Sequence, residues 1–125
     1  MTEAKKLNDK LDNLYRDYIR MRAIIRVHGC ERCLHWKGTY KLLQCSHFWG
    51  RRIFNTRWDE DNGVGLCPAC HMYLTSHPAL HAAWYEEHLG QPAFDMLAAR
   101  ARQTGKVDKN ALVIYYRGKI QELEG

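Results

Sequence analysis

Two CxxC pairs, "CERC" at Cys30 and Cys33 and "CPAC" at Cys67 and Cys70, constrain this chain more than any other feature. The segment between them is long enough to fold back, so four thiolates can close one tetrahedral zinc site. Such a site supplies folding free energy that a small core lacks. The competing reading is a pair of redox dithiols, for which one CxxC would suffice. Five cysteines cannot all pair as disulfides, and Cys45, left over, is expected to pack as a small apolar residue.

With 125 residues and 46% hydrophobic content, one domain with a modest core is expected over residues 1–125. Its net charge of +5 favours a polyanionic partner, since lysines and arginines near phosphates gain Coulomb attraction and release counterions. A basic protein without any nucleic-acid role stands beside that reading. No apolar run approaches bilayer length and the start, "MTEAKKLNDK", is charged, which points to a cytoplasmic protein with no membrane partner.

Periodicity divides the chain into three parts. Residues 1–27 hold an amphipathic helix, with Leu7, Leu11, Leu14, Tyr18, Met21 and Ile25 on one face and Lys5, Lys6, Lys10, Arg16, Arg20, Arg22 and Arg26 on solvated sides. That seam serves either the domain's own core or a homodimer. Residues 28–76 form the zinc core. There a Lys-Gly turn between two aromatic-rich runs suggests a hairpin, "NTRWDEDNGVG" reads as a polar loop, and Pro68 opens a short helix to about Thr75. Residues 77–125 are a helical tail, with helices expected over 78–89, 92–104 and 108–123. The fold class is therefore α+β, mainly helical: a zinc-stabilised treble-clef (ββα-metal) core between an N-terminal helix and C-terminal helices.

This topology brings His47 in "QCSHFWGRR", Asn62 in "DNG" and His71, next to Cys70, toward one another. A neutral imidazole, with an ordinary pKa of about 6.5, can take a proton from water, so His47 is the candidate general base. Arg51, Arg52 and Arg57 are near enough in sequence to clamp phosphates of DNA. Read singly, the histidine is a packed or surface residue, the asparagine a turn residue, and the arginines a solvated patch. Trp36, Phe48, Trp49 and Trp58 read as core packing rather than base-stacking platforms.

Taken together, "CERC", "CSHFWGRR" and "RWDEDNGVGLCPACH" resemble the HNH (His-Me finger) nucleases. With the tail segments "YEEHLG" and "YYRGKIQEL", the chain is most similar to the phage NinG/Rap recombination nucleases, and more distantly to endonuclease VII-type junction resolvases. This resemblance implies a phage- or prophage-encoded, metal-dependent DNA endonuclease acting on branched recombination intermediates. It implies catalytic roles for His47, Asn62 and His71: proton acceptor, support for the strand bearing it, and ligand of a catalytic divalent ion, Mg2+ or Mn2+. Ser46 stands where many such sites have a second metal ligand, which directs attention to Gln44, Asp59, Asp61, His77 and His81. The alternative is a non-catalytic, zinc-containing DNA-binding module.

Overall fold

The computed structural model describes residues 1–125. Helix α1 (Glu3–Val27) starts with the Thr2 hydroxyl accepting from Lys5 N–H and stops at His28, which takes the left-handed conformation at φ 57°. Strand β1 (Gln44–His47) follows a 3-10 turn at Tyr40–Leu42, and strand β2 (Gly63–Leu66) follows helix α2 (Phe54–Arg57) and a second 3-10 turn at Glu60–Asn62. Helices α3 (Pro68–Ser76), α4 (Pro78–Leu89), α5 (Gln91–Ala101) and α6 (Lys109–Glu124) complete the chain. The molecule is α+β and mainly helical, and α3, α4 and α5 each carry a proline in the first turn, where no N–H is needed.

The expected hairpin is replaced by a longer-range pairing. No strands pair across the Lys37-Gly38 turn; a Gly29–Trp36 bridge closes the knuckle before it, while β1 pairs antiparallel with β2 in the register Gln44–Leu66, Cys45–Gly65, Ser46–Val64 and His47–Gly63. All four residues of β2 are buried, so the segment expected as loop ends in the most enclosed strand. Its glycines let α1 lie directly on the sheet. A Cβ at Gly65 would sit 2.7 Å from Ala23 Cβ, and one at Gly63 would strike the Tyr15 hydroxyl. Gly65→Ala should therefore destabilise the fold by about 1–3 kcal/mol through overpacking. Gly118→Ala, in an α6 position where a Cβ meets nothing within 4 Å, should stabilise it by up to about 1 kcal/mol. Urea denaturation of both variants checks the pair, and equal midpoints would contradict it.

Helix α1 serves two cores. Ala23 belongs to one with Cys30, Leu43, Val64, Leu66, Leu74, Tyr85 and Leu97; Leu11, Tyr15, Tyr18 and Ile19 belong to the other with Trp58, Val113 and Tyr116. The expected seam is thus partly used inside the molecule: Leu11 and Tyr18 are buried, Leu7 and Leu14 pack against the second core, and Ile25 is exposed. Arg22, expected on a solvated side, is 7% exposed because its guanidinium donates to the carbonyls of Glu60 and Gly63 at 3.0 and 2.8 Å.

Those two bonds belong to a larger pattern. Buried tyrosines from three helices donate to carbonyls of the same segment: Tyr116 to Trp58, Tyr15 to Asp59 at 2.7 Å, and Tyr85 to Asp61 at 2.6 Å. The Asn62 carbonyl accepts from Phe48 N–H at 2.9 Å. Every carbonyl from Trp58 to Gly63 is therefore satisfied by a group outside the segment, which a buried irregular backbone requires. The tail helices fix the connection between the two strands.

Candidate metal centre and adjoining cleft

The four CxxC cysteines converge where the chain leaves α1 and where it enters α3. At the first pair, Cys30 N–H donates to the His35 carbonyl and Leu34 N–H to the Cys30 carbonyl, giving a knuckle in which Leu34 takes φ 61°. Glu31 docks this knuckle on β2: its N–H donates to the Gly65 carbonyl at 2.9 Å and its carboxylate accepts from Gly65 N–H at 2.7 Å. At the second pair, Cys67 caps α3 and its sulfur accepts from Cys70 N–H at 3.4 Å.

All four sulfurs lie within 4.8 Å of one another, with Cys33 and Cys67 at 3.9 Å. Zinc–sulfur bonds of about 2.3 Å in a tetrahedron separate sulfurs by about 3.8 Å, whereas a disulfide needs about 2.05 Å. This donor set fits a metal ion such as zinc. Its electrostatics agree: burial pushes the Cys30 thiol up and Cys70 up to about 12. At Cys67 burial acts the same way but is outweighed by hydrogen bonds from Cys70 N–H and the neighbouring thiols, which bring it down to about 7. One sulfur thus holds a charge that its neighbours resist sharing, a conflict that a bound dication removes. Arg32, with Nη1 3.4 Å from Cys70 Sγ, adds positive charge beside the cluster.

A cleft of about 590 Å³ opens between α1, the Leu43–His47 stretch and α3, lined by Asp9, Asp12, Asn13, Arg16, Arg20, Leu43, Gln44, Cys45, His47, Arg51 and His71. His47 and His71 both border it. Nε2 of His47 is 3.1 Å from the Arg57 carbonyl, which can only accept, so Nε2 carries the proton and Nδ1 keeps its lone pair. Burial, opposed by that hydrogen bond, holds this imidazole below its ordinary pKa and hence neutral at pH 7. The Gln44 Oε1 atom is 2.7 Å from Nδ1 of His71 and accepts its proton, leaving Nε2 unprotonated. Burial lowers the His71 pKa as well.

Asn62 lies behind the cleft, fully buried. Its amide donates to the Trp49 carbonyl at 2.9 Å and accepts from Trp49 N–H at 2.7 Å, clamping the chain just beyond His47. The three arginines divide. Arg57 is held by Asp12 through two bonds of 3.0 and 2.6 Å, its side chain 13% exposed, so it is an internal strut rather than a free clamp. Arg51 shares Asp12 at 2.6 Å yet stays 59% exposed, and Arg52 is exposed. Asp12 also accepts from Trp58 Nε1; these bonds outweigh burial and lower its pKa.

Other candidates point elsewhere. Asp59 and Asp61 hold Arg100 of α5, His77 bonds the Tyr73 carbonyl, His81 packs on Phe48, and Ser46 is 2% exposed. Cys45 borders the cleft, and burial raises its thiol to about 12, keeping it uncharged. Sequence reading missed the α1 contribution, although Asp9, Asp12, Asn13, Arg16 and Arg20 recur at helical spacing along one polar stripe. It also missed Gln44 as the partner of His71.

These features define a small, mainly helical α+β protein around a four-cysteine cluster that could hold a structural metal. No helix is long and apolar enough to cross a membrane. Over residues 26–81 the chain is similar to a CRISPR-associated protein family, Cas_CXXC_CXXC. No curated protein and no solved structure matches it. This match corrects the resemblance to HNH and NinG/Rap nucleases, and the phage origin and recombination setting go with it. The matched span runs across both CxxC pairs, a pattern that any four-cysteine zinc core needs, so the shared cysteines did not identify a lineage.

Proposed function

We propose that this chain is a metal-dependent DNA endonuclease whose zinc core, a treble clef of knuckle, β1, β2 and α3, holds two histidines at the edge of a cleft lined by three arginines and two aspartates. One observation carries the reading: two neutral imidazoles, each with its tautomer set by an acceptor oxygen, border one cleft with Arg16, Arg20 and Arg51. The similarity to a CRISPR-associated family brings no reaction with it, so the reading rests on the cleft.

In this reading Nδ1 of His47 takes the proton of the attacking water. Asn62 keeps the strand end in place through Trp49, and the arginines hold the flanking phosphates. Nε2 of His71 would hold a divalent ion, Mg2+ or Mn2+, with Gln44 orienting the ring. When bound, that ion supplies positive charge for the leaving oxygen. The test is cleavage of single-stranded, duplex and branched DNA by zinc-loaded protein, with Mg2+, Mn2+ or neither. Cutting should require the added ion, and His71→Ala should lose it or demand a higher ion concentration.

A second reading, a non-catalytic zinc-containing DNA-binding module, is favoured by the enclosure of Ser46, which leaves His71 as the one imidazole outside β1 on the cleft. DNA binding with no cutting under either ion would select it.

A further inference from the structure

We propose that the knuckle carries a stacking platform for single-stranded DNA, Trp36 flanked by Lys37 and Lys41, which leads a strand into the cleft. This rests on the DNA-cleaving reading above and names the form of DNA that its cleft takes.

Trp36 was expected in the core, yet it is 71% exposed, whereas Trp58 is 2% exposed and Trp49 and Trp84 pack against the zinc-side core. Its backbone is nevertheless held in place. The backbone bridges to Gly29, and the indole lies so close over Gly38 that a Cβ there would be 3.1 Å from Cη2. At Gly29 a Cβ would strike the His35 carbonyl, so the turn closes tightly beneath the ring. A solvent-facing indole resting on Gly38 offers an open π-face on a turn whose backbone is already held.

Charge decides what that face suits. From Arg32 to Arg57 the chain has six lysines and arginines and no aspartate or glutamate; Arg51 and Arg57 are paired with Asp12, while Lys37 and Lys41 follow Trp36 in sequence. An apolar protein surface would meet Trp36 equally well, but the absence of carboxylates from this lysine-bearing stretch favours a polyanion with aromatic faces of its own. Bases within a duplex are already stacked, so a single indole on a turn can pair only with an unpaired base. Four residues beyond Trp36 the chain reaches Tyr40, which meets a cleft residue. Arg20 lies over the Tyr40 ring at 5.0 Å and donates to the Leu43 carbonyl at 3.4 Å, and both Arg20 and Leu43 line the cleft.

The experiment uses the full zinc-loaded chain without added Mg2+ or Mn2+ and reads anisotropy of labelled oligothymidylate and of a labelled duplex. Trp36→Ala should weaken single-strand binding by about ten-fold while leaving duplex binding nearly unchanged. Trp36→Phe should restore most of the loss, and oligothymidylate should quench tryptophan emission in the native chain but not in Trp36→Ala. Exchanging Lys37 and Lys41 for glutamine should reduce the salt dependence by about 0.7 per charge. Equal affinities of native and Trp36→Ala protein for oligothymidylate, no single-strand binding at low salt, or an equal loss on duplex would overturn the platform. Strand binding through Trp36 without cutting under any ion would uphold it and sink the nuclease reading. Cutting with an unchanged KM in Trp36→Ala would do the reverse.

Discussion

Under the proposed nuclease reading, His47→Ala is expected to slow DNA cleavage by about 10²- to 10⁴-fold, the contribution of a positioned general base, with DNA affinity unchanged. Arg57 makes this prediction sharper. By accepting from Nε2, its carbonyl leaves Nδ1 as the one atom of the ring able to receive a proton. Because burial depresses the pKa, the reactive neutral form dominates down to a pH below the ordinary histidine value of about 6.5. The cleavage rate should therefore rise with pH through a limb centred below that value and stay flat around pH 7, and the residual rate of His47→Ala should lack the limb. Circular dichroism must show the variant folded, since its ring also packs on Tyr15 at 5.3 Å. A folded His47→Ala protein that cuts at the native rate would remove the histidine from the mechanism.

The same sign governs stability. His47, His71, His81 and His88 are all held below the ordinary histidine value, burial being the first cause in each. The unfolded chain binds those protons more readily, so the native state loses stability as pH falls below about 6.5.

What was legible in the sequence followed from local rules. The helices of the tail announce themselves by period and by their prolines and glycines, and α4 spans Pro78–Leu89 as expected. The four-cysteine cluster was legible because CxxC spacing is itself the geometry of a knuckle and a helix start. The pairing of β1 with β2 was not, since two short strands separated by a helix and a 3-10 turn carry no local register signal. Nor could composition show why a polar stretch such as "RWDEDNG" is enclosed: Tyr15, Tyr85, Tyr116 and Arg22 come from distant helices to satisfy its carbonyls. Arg57 looked like a phosphate clamp for the same reason, its true partner Asp12 lying 45 residues away. Family placement failed differently: the cysteine pairs, His47, Asn62, His71 and the tail segments were read together as marks of one lineage, and the match over residues 26–81 is to another family.

The largest effect should come from the cysteines. Structural zinc in small domains is worth about 10–16 kcal/mol of apparent binding free energy, comparable to the whole of the roughly 5–15 kcal/mol by which ordinary domains are stable. Here the cluster joins the knuckle to α3, and Cys30, Cys67 and Cys70 are counted among the buried residues of one core. Chelation, or replacement of Cys67 and Cys70 by alanine, should therefore abolish cooperative thermal unfolding instead of merely lowering its midpoint. Cys45→Ala, outside the cluster, should keep both the transition and one zinc per chain by elemental analysis. Glu31 explains why the effect should spread beyond the knuckle. Its carboxylate and its backbone both grip Gly65, so loss of metal at Cys30 releases β2, the strand whose Gly63 pairs with His47. Fluorescence of the buried Trp58 should then report loss of the second core too. A chelated protein that melts cooperatively at the native midpoint would show that the four thiols pack without needing an ion, and a dithiol role for the two CxxC pairs would regain its standing.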